Sequence, residues 1–309
     1  FMDVAAYAAV SESVDAAPKR ARGFVNAVLR RATKGMPDPP DMATKFAHPK
    51  WMFDRWSRVY GEARAIAIME SNQQLSYPDV LALSGAPPPP AVPSTLVPDV
   101  YKLEGSSANL DRADFYPMDE GSAVIAHIAA LCGRGLEPAN ILDVAAAPGG
   151  KTLYMQHRGA TVTSSDISLS RLQSLIGRNP RLVVADGRLP PFRKRFPVVL
   201  LDAPCSATGT IRKNPEIKWR LRESDLAPFA SLQRELLASA VEIAEDGVVY
   251  STCSLEPEEN DAVVAGFDRD DITPYVPEGA RKWVENGVLR LTPESGADGF
   301  TAFLLRGSR

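Results

Sequence analysis

The sequence predicts an α/β fold for the larger, C-terminal part of the chain, with a mostly parallel sheet covered by helices on both faces. From residue 117 onwards, short apolar runs alternate with helical stretches, a pattern typical of parallel sheets. The residues before 117 are largely helical in pattern and rich in proline. We therefore expect a small, largely helical N-terminal region followed by an α/β domain.

The composition is that of a soluble globular protein, with 309 residues, a formal net charge of -3 and 45% apolar residues. The three cysteines form an odd and sparse set, which argues against a disulfide scaffold and favours a reducing, cytoplasmic location. Neither a signal peptide nor an apolar run near the ~18 residues of a membrane span is recognisable. We also expect no metal site and no obligate protein partner, and hence a monomer.

The N-terminal region is expected to contain three helices. Two of them cover residues 1–34, and a third, amphipathic helix runs from Trp51 to about Ser71. Pro37 breaks the first pattern, and the Pro-rich stretch from Pro87 to Pro98 predicts a linker or an extended segment.

In the α/β part, a helix is expected over Gly121–Leu131 and a first strand over Ile141–Val144. Further apolar runs predict strands at 160–165, 181–185, 197–202 and 247–251. Helical stretches between them cover 168–178, 224–244 and 258–267. Because helices connect these strands, their carboxyl ends should meet at one edge of the sheet.

The first candidate binding segment joins the first strand of this sheet to the next helix. Small residues there let the backbone approach a ligand closely, and the helix N-terminus offers free N–H groups. A turn needed only for packing is a second interpretation. The segment consists of Ala145, Ala146, Ala147, Pro148, Gly149, Gly150 and Lys151.

A phosphate-binding loop is a third interpretation, because Gly150, Lys151 and Thr152 match the end of that motif. The motif requires a glycine five residues before Gly150, where this chain has Ala145. Pro148 also removes one of the backbone N–H groups that would cradle a phosphate. The sequence therefore argues against hydrolysis of nucleoside triphosphates.

Two aspartates end the next two strands, Asp166 the second and Asp186 the third. A carboxylate at the second strand can accept both hydroxyls of a ribose, and one at the third can accept an adenine amino group. Either aspartate alone could be a helix cap. Together they predict an adenosine pocket along the carboxyl edge of the sheet.

Two cysteines also belong to this edge. Cys205 follows the strand that ends at Asp202, and Cys253 ends the strand that begins near Val248, so both thiols should face the adenosine pocket. A lone cysteine is usually a small buried hydrophobe, which is our interpretation of Cys132. A disulfide between Cys205 and Cys253 is an alternative.

Paired thiols suit methyl transfer to a pyrimidine. A thiolate that adds to carbon 6 of cytosine makes carbon 5 able to attack an electrophilic methyl group. A thiol with a pKa near ~8.5 is mostly protonated at pH 7, so the site must favour the thiolate. A second acid–base group would help to remove the carbon 5 proton, and Asp202 could hydrogen-bond N3 or the amino group of cytosine.

These segments resemble the RsmB/Sun (Fmu) family of bacterial RNA cytosine-C5 methyltransferases. The segments around Ala145, Cys205 and Cys253 are similar to the family's cofactor loop, Pro-Cys motif and Thr-Cys motif. Residues 212–219 (RKNPEIKW) look like the stretch after the Pro-Cys motif, and residues 23–31 (GFVNAVLRR) look like the last helix of a NusB-like domain. The family usually has Cys where Ala145 stands.

The resemblance implies a Rossmann-like methyltransferase domain that binds S-adenosyl-L-methionine and acts on RNA, with 16S rRNA as the expected substrate. Carried over by position, it implies that Cys253 is the nucleophile and that Cys205 assists release of the product. Lys151 is expected near the target base. Cofactor contacts are expected from residues 145–151, Asp166, Asp186 and Asp202.

The same resemblance divides the chain into three regions. Residues 1–36 would be the remnant of a NusB-like helical RNA-binding domain, and residues 37–116 an N-terminal subdomain with the Pro-rich linker. Residues 117–309 would form the methyltransferase domain.

RNA binding is expected beside the thiols. Residues 171–222 carry twelve Lys and Arg residues against three acidic residues, an excess that attracts phosphates. Single-stranded or looped RNA fits best, because the target base must leave its stack. The candidate contacts are Arg188, Arg212, Lys213 and Lys218, with a solvated basic surface as the alternative.

Two other functions fit part of the pattern. An RNA-binding ribosome assembly factor could keep the cofactor pocket without turnover, although the intact thiol pair argues against it. A DNA cytosine methyltransferase would use the thiol of its Pro-Cys motif, here Cys205, as the nucleophile. Methyl transfer to RNA that requires Cys253 would exclude both.

Overall fold

The computed structural model describes residues 4–35, 38–85, 87–88, 90–105, 110–111, 113–133 and 140–307. Residues 1–3, at the start of the first expected helix, lie outside the described residues, as do Pro37 and Pro89. The chain forms two compact units, Phe1–Leu75 and Ser76–Arg309. The expected boundaries after residues 36 and 116 stay a prediction.

The first unit is helical. Its described residues form α1 (Ala6–Ala16), α2 (Arg22–Ala32), α3 (Met42–Lys45), α4 (Lys50–Tyr60) and α5 (Glu62–Ser71). The single helix expected from Trp51 to Ser71 is wrong, because Gly61 takes a φ of 83° and ends α4. Trp56 and Ile68 are buried, whereas neither α1 nor α2 contains a buried residue.

The second unit begins with a small antiparallel sheet. Its strands, in the order β2-β3-β1-β4, are β1 (Asp79–Ala82), β2 (Ala91–Pro93), β3 (Val100–Leu103) and β4 (Phe115–Pro117). The Pro-rich stretch therefore contributes the edge strand β2, where Pro93 is tolerated because an edge strand has one unpaired side.

The main sheet has the order β11-β12-β13-β9-β8-β5-β6-β7, with β10 paired to β13. The neighbours from β9 to β7 are parallel, and the remaining pairs are antiparallel. The strands are β5 (Asn140–Val144), β6 (Thr161–Asp166), β7 (Leu182–Val184), β8 (Phe196–Asp202), β9 (Ala244–Thr252), β10 (Arg269–Asp270), β11 (Val284–Glu285), β12 (Val288–Leu291) and β13 (Phe300–Arg306).

The helices of this unit are α6 (Glu120–Cys132), α7 (Gly150–His157), α8 (Leu169–Leu172), α9 (Ile217–Arg220), α10 (Leu226–Ile243) and α11 (Asp261–Val264). The helices expected over 168–178 and 258–267 are therefore much shorter than predicted. None of the helices in the described part of the chain is long and apolar enough to span a membrane.

Helices cover both faces of the main sheet, which confirms the expected fold class. Neighbouring strand residues point to opposite faces, so Ile141 and Leu142 of β5 enter different cores. Ile141 packs in one apolar cluster with Ile128 of α6, and Leu142 in the other with Leu237 of α10. Burial of these two apolar faces stabilises the sheet.

The central strands bring the candidate segments to one edge. β5 and β8 are adjacent, and the chain continues from β5 towards β6 but from β8 towards β9. Val144 pairs with Leu201, and Asp202 pairs with Ser251. The loops that follow these strands therefore share the carboxyl edge, at the point of strand-order reversal where ligands bind in such sheets.

Candidate active site

The loop after β5 is closely packed. Ala145 has a φ of 60°, a left-handed conformation that is uncommon for a residue with a side chain. Gly149 has a φ of 111°, and a Cβ added there would lie 2.5 Å from carbon atoms of Leu175. Both the backbone conformation and the space therefore require glycine at 149, where the chain turns into α7.

A buried polar network that the sequence interpretation missed anchors this loop. Thr152 Oγ1 donates to Asp143 Oδ2 at 2.6 Å and lies 2.7 Å from Ser164 Oγ. Asn179 Nδ2 donates to Ser164 Oγ at 2.9 Å. Burial raises the pKa of Asp143 to about 7. The network ties β5, α7 and β6 together, and its members have no shared local pattern in the sequence.

Asp166 ends β6 beneath the same loop. Its Oδ2 accepts from the Ala147 N–H at 3.2 Å, and its Oδ1 accepts from the Ser168 N–H at 2.9 Å. Arg171 lies across it, with Nη1 at 3.8 Å from Asp166 Oδ2 and Nη2 donating to the Ala147 carbonyl at 3.1 Å. The carboxylate expected to bind a ribose is thus covered by an arginine.

Asp186 follows β7 and is covered in the same way. Arg188 Nη2 donates to Asp186 Oδ2 at 2.7 Å, and Arg188 Nη1 donates to Glu235 Oε2 at 3.3 Å. The hydrogen bonds from Arg188 lower the pKa of Asp186 to about 2. Asp186 is therefore ionised throughout the physiological range.

Both carboxylates line one cavity of about 250 Å³. Its other walls include the apolar side chains of Ile167, Leu232 and Leu236, together with Val144 at the end of β5. Apolar walls suit a purine ring, and carboxylates suit hydroxyl and amino groups. The donor set and the close-packed loop therefore fit an adenosine-containing cofactor, as the sequence predicts.

Lys151 and Asp202 form an ion pair at the same edge. Lys151 Nζ lies 2.7 Å from Asp202 Oδ2 and donates to Ser122 Oγ at 2.7 Å. Ser251 Oγ donates to Asp202 Oδ1 at 2.7 Å. Burial lowers the pKa of Lys151, but the charge and hydrogen bond of Asp202 outweigh burial, so this pKa lies above its ordinary value.

The structure brings the two predicted thiols together. Cys205 Sγ and Cys253 Sγ are 3.3 Å apart, and both cysteines are free. The hydrogen bond with Cys253 and burial raise the pKa of Cys205 well above its ordinary value, so Cys205 holds its proton. Cys132 is separate from this pair on α6, and burial raises its pKa to about 12.

A buried glutamate that sequence reasoning missed holds the loop around Cys205. Glu259 is 0% exposed, and its carboxylate accepts from the Ser206 N–H at 2.8 Å and from the Ser206 hydroxyl. Gln233 Nε2 donates to Glu259 Oε1 at 3.3 Å and to the Pro204 carbonyl at 2.8 Å. This glutamate therefore joins the thiol loops, which we define as residues 203–210 and 253–260.

Two of the four candidate RNA contacts, Arg212 and Lys213, lie in one cluster with aspartates. Lys213 Nζ lies 3.2 Å from Asp79 Oδ2 and 3.5 Å from Asp298 Oδ2, and it also donates to Asp119. Arg212 is nearly buried, 3.7 Å from Asp298 Oδ1. These contacts join four segments that are distant in the sequence, so they stabilise the fold. Contact with RNA by Arg212 and Lys213 stays a prediction.

The acid cluster around Lys213 holds unusual carboxyl groups. Burial raises the pKa of Asp79 to about 6 and, together with the charge of Asp119, raises the pKa of Asp298 to about 7. Next to Asp298, the Gly299 N–H donates to the Gly209 carbonyl at 2.8 Å. A Cβ on Gly209 would lie 2.4 Å from the Gly299 carbonyl oxygen, so this approach requires glycine.

The other two candidate RNA contacts, Arg188 and Lys218, also interact with other side chains of the chain. Arg188 is engaged with Asp186 and Glu235, and Lys218 is 5% exposed, with Nζ at 5.8 Å from the Trp219 ring centroid. Burial lowers the pKa of Lys218. Whether either residue contacts RNA stays a prediction.

Comparison with known proteins identifies the family. The family described as 16S rRNA methyltransferase RsmB/F matches residues 135–305. A protein from Sodalis glossinidius, named ribosomal RNA small subunit methyltransferase B, is 32% identical over 305 residues, covering 85% of this chain and 69% of that protein. The protein of the same name from Vibrio cholerae is 30% identical over 311 residues, covering 86% and 69%.

Solved structures share the fold. A methyltransferase homologue from Pyrococcus horikoshii superposes with a TM-score of 0.65 at 22% identity, covering 89% of this chain and 100% of that one. NSun6 from Pyrococcus horikoshii, solved with the S-adenosylmethionine analogue SFG, gives a TM-score of 0.69 at 18% identity, covering 84% and 98%. The chain therefore belongs to the RsmB/F family of 16S rRNA methyltransferases, whose methyl donor is S-adenosylmethionine.

Proposed function

We propose that the chain methylates carbon 5 of a cytosine in RNA, through a covalent bond between Cys253 and the base. Small-subunit rRNA is the expected substrate, because the relatives from Sodalis glossinidius and Vibrio cholerae are named for it. The observation that carries the proposal is the 3.3 Å separation of the Cys205 and Cys253 sulfurs, beside an ion pair at the carboxyl edge of a methyltransferase fold.

The cofactor would be held by the loop of residues 145–151 together with Asp166, Asp186 and Asp202. Asp166 would accept the ribose hydroxyls and Asp186 the adenine amino group, with Arg171 and Arg188 giving up their present partners. S-adenosylmethionine supplies an electrophilic methyl group when bound.

Cys253 is the proposed nucleophile. As a thiolate, its sulfur forms a bond to carbon 6, and the electron pair of the 5,6 double bond makes carbon 5 nucleophilic. Cys205 keeps its proton because its pKa is raised, so its S–H can donate to a Cys253 thiolate. A hydrogen bond to the charged form favours that form.

The Lys151–Asp202 pair is proposed to orient the base. Asp202 is 23% exposed in its side chain, and its carboxylate can accept from the amino group of cytosine, which uracil lacks. Lys151 fixes that carboxylate at 2.7 Å, and Ser251 donates to its other oxygen. A fixed acceptor gives selectivity because a base without an amino group cannot form this hydrogen bond and places its own acceptor against the carboxylate.

Cys205 is assigned to the release of the product. Once the Cys253 sulfur is bonded to carbon 6, the hydrogen bond that raises the Cys205 pKa is lost, so Cys205 releases its proton to solvent more readily. After carbon 5 has gained its methyl group, the Cys205 thiolate can accept the proton that carbon 5 still carries. The bond between carbon 6 and sulfur breaks, the 5,6 double bond reforms, and Cys253 returns as a thiolate.

Methyl transfer from radiolabelled S-adenosylmethionine to unmodified small-subunit rRNA tests this assignment. Cys253→Ala should lower kcat by about 10⁴-fold or more, as loss of a catalytic nucleophile does elsewhere. Cys205→Ala should accumulate a protein–RNA adduct that survives denaturation, because the second half of the reaction is impaired. The label should be found on carbon 5 of cytosine.

Cys132→Ala is the matched control, because it removes the third thiol without touching the pair, and its kcat should stay within about twofold of wild type. If Cys253→Ala is the variant that traps RNA, the two thiol roles are reversed. If the wild type and all variants bind RNA but none of them transfers a methyl group, the chain is an assembly factor that keeps the cofactor pocket.

A further inference from the structure

A second cavity opens beside the thiol loops, with a volume of about 550 Å³. It lies between α9 and the first half of α10, and Ser206, the residue after Cys205, contributes to its wall. Neither Cys205 nor Cys253 lines it, and neither does Lys151 or Asp202. The cavity is therefore next to the reacting groups but is not the place where the target base reacts.

The walls of this cavity are mostly apolar, with one aromatic ring. Phe229 and Leu232 come from α10, and Ile217 and Leu221 come from α9 and the residue after it. Leu232 also lines the cavity that holds Asp166 and Asp186. The cofactor cavity and the second cavity are therefore neighbours that share one side chain.

Polar groups stand at the rim. Glu216 and Arg220 line the cavity, and the neighbouring Trp219 is 64% exposed. A carboxylate can accept from the amino groups of bases, and an arginine can hold a phosphate or stack on a base. An aromatic side chain in the wall together with such polar groups is an arrangement by which proteins hold unstacked bases.

We propose that this cavity binds the base of a nucleotide adjacent to the target cytosine, stacked on Phe229 and held at the rim by Glu216 and Arg220. The proposal rests on the proposed function, because a cytosine drawn out of its stack towards Cys253 leaves its neighbour in the strand unstacked as well. The volume lies within the ~300–1,000 Å³ of small-ligand pockets. Glu216 favours adenine, guanine or cytosine over uracil, which has no amino group to donate.

Equilibrium binding without a methyl donor tests this proposal independently of turnover. The probe is the fragment of unmodified small-subunit rRNA that the wild type binds most tightly, in versions with one abasic nucleotide at each single-stranded position. Removing the base that occupies the cavity should weaken binding about 5- to 150-fold, the range for loss of one stacked base. Phe229→Ala should cause a similar loss with intact RNA.

The decisive comparison combines both changes. In Phe229→Ala the sensitive abasic position should cause little further loss, because two changes that remove one contact are not additive. Leu221→Trp fills the cavity from its other wall and should weaken RNA binding as Phe229→Ala does. It tests the cavity by a second route in case Phe229→Ala fails to fold. Val92→Ala, an exposed residue on β2, is the control and should bind every RNA like the wild type.

Each outcome separates the two proposals. The proposal is wrong if no abasic position weakens binding, or if the losses from the abasic position and Phe229→Ala add. It is also wrong if folded Phe229→Ala and Leu221→Trp bind RNA normally. The cavity would then serve another ligand, such as a protein segment. If the abasic effect depends on Phe229 but wild type transfers no methyl group, the base site stands and the proposed function fails.

Discussion

Two sets of loops meet at the carboxyl edge of the main sheet, and they satisfy their polar groups in different ways. In the cofactor loops, which we define as residues 145–149, 166–171 and 186–188, the charged side-chain partners of Asp166 and Asp186 are arginines with 57% and 45% exposed side chains. In the thiol loops, the central partner is Glu259, which is 0% exposed. One set has exchangeable contacts, and the other has fixed contacts.

The difference matches the chemistry proposed for each set. A cofactor enters and leaves in every turnover, so groups that bind it need partners that can be exchanged at low cost, as exposed ion pairs can. Two sulfurs that share a proton need fixed positions across several steps, and buried hydrogen bonds provide them. Two experiments test this comparison, and a third contrasts the cofactor loops with the acid cluster around Lys213.

The largest expected effect follows from removal of the buried carboxylate. Glu259→Ala should lower the free energy of unfolding by roughly 3 kcal/mol, because the Ser206 N–H and hydroxyl, both buried, lose their acceptor at about 1–3 kcal/mol each. Chemical denaturation measures this loss. Methyl transfer should fall as well, because the Cys205 loop loses its anchor.

Glu242→Ala is the control for that variant. Glu242 is an exposed glutamate on α10, and its removal should change stability by less than about 0.5 kcal/mol. A Glu259→Ala protein as stable as Glu242→Ala would contradict the fixed character of the thiol loops.

A smaller effect is expected at the cofactor loops. Asp166→Ala should weaken S-adenosylmethionine binding by about 1.5–3 kcal/mol, the usual contribution of hydrogen bonds to a charged group. Arg171→Ala should change the affinity by less than about threefold, because Arg171 would have to leave Asp166 when the ribose binds. Isothermal titration calorimetry measures both.

The contrast between these two variants is the informative result. An Arg171→Ala protein that loses as much affinity as Asp166→Ala would show that the arginine is part of the bound state. The partners of the cofactor carboxylates would then be as fixed as those of the thiol loops.

The smallest effect concerns pH and the acid cluster around Lys213. The pKa of Asp298 is raised from 3.8 to about 7, so this carboxyl binds its proton more tightly in the folded protein than in the unfolded chain. Its stabilising contribution is therefore present at low pH and is lost as the pH rises towards 7. Between pH 6 and pH 7, the free energy of unfolding of wild type should fall by about 1 kcal/mol more than that of Asp298→Asn. One proton that is bound only in the folded state can change this free energy by at most ~1.4 kcal/mol per pH unit.

Asp186→Asn is the matched control in the cofactor loops. Because Arg188 lowers the pKa of Asp186 to about 2, that carboxyl is ionised in both states across pH 6–7 and adds no slope there. Urea denaturation at the two pH values compares the variants. Equal slopes for Asp298→Asn and wild type would contradict the raised pKa of Asp298.

Patterns of local residues were enough to predict the edge of the sheet. Short apolar runs such as 141–144 and 197–202 predicted strands, and polar or thiol residues at their ends predicted the site. The pairing of Asp202 with Ser251 and the approach of Cys205 to Cys253 follow from two parallel neighbours that end together. The ends of helices were harder to predict, because Gly61 ends α4 inside an amphipathic pattern that by itself predicts one continuous helix.

The sequence by itself determined the fold class, the family and the carboxyl edge where the candidate residues meet. Only the tertiary structure decided that Glu259 accepts hydrogen bonds from Ser206, 53 residues away, and that Lys213 forms ion pairs with three aspartates. Hydrophobic periodicity records which face of an element is buried, and short motifs record local turns. A buried polar partner depends on which distant segments meet in the folded chain, and no local pattern carries that information.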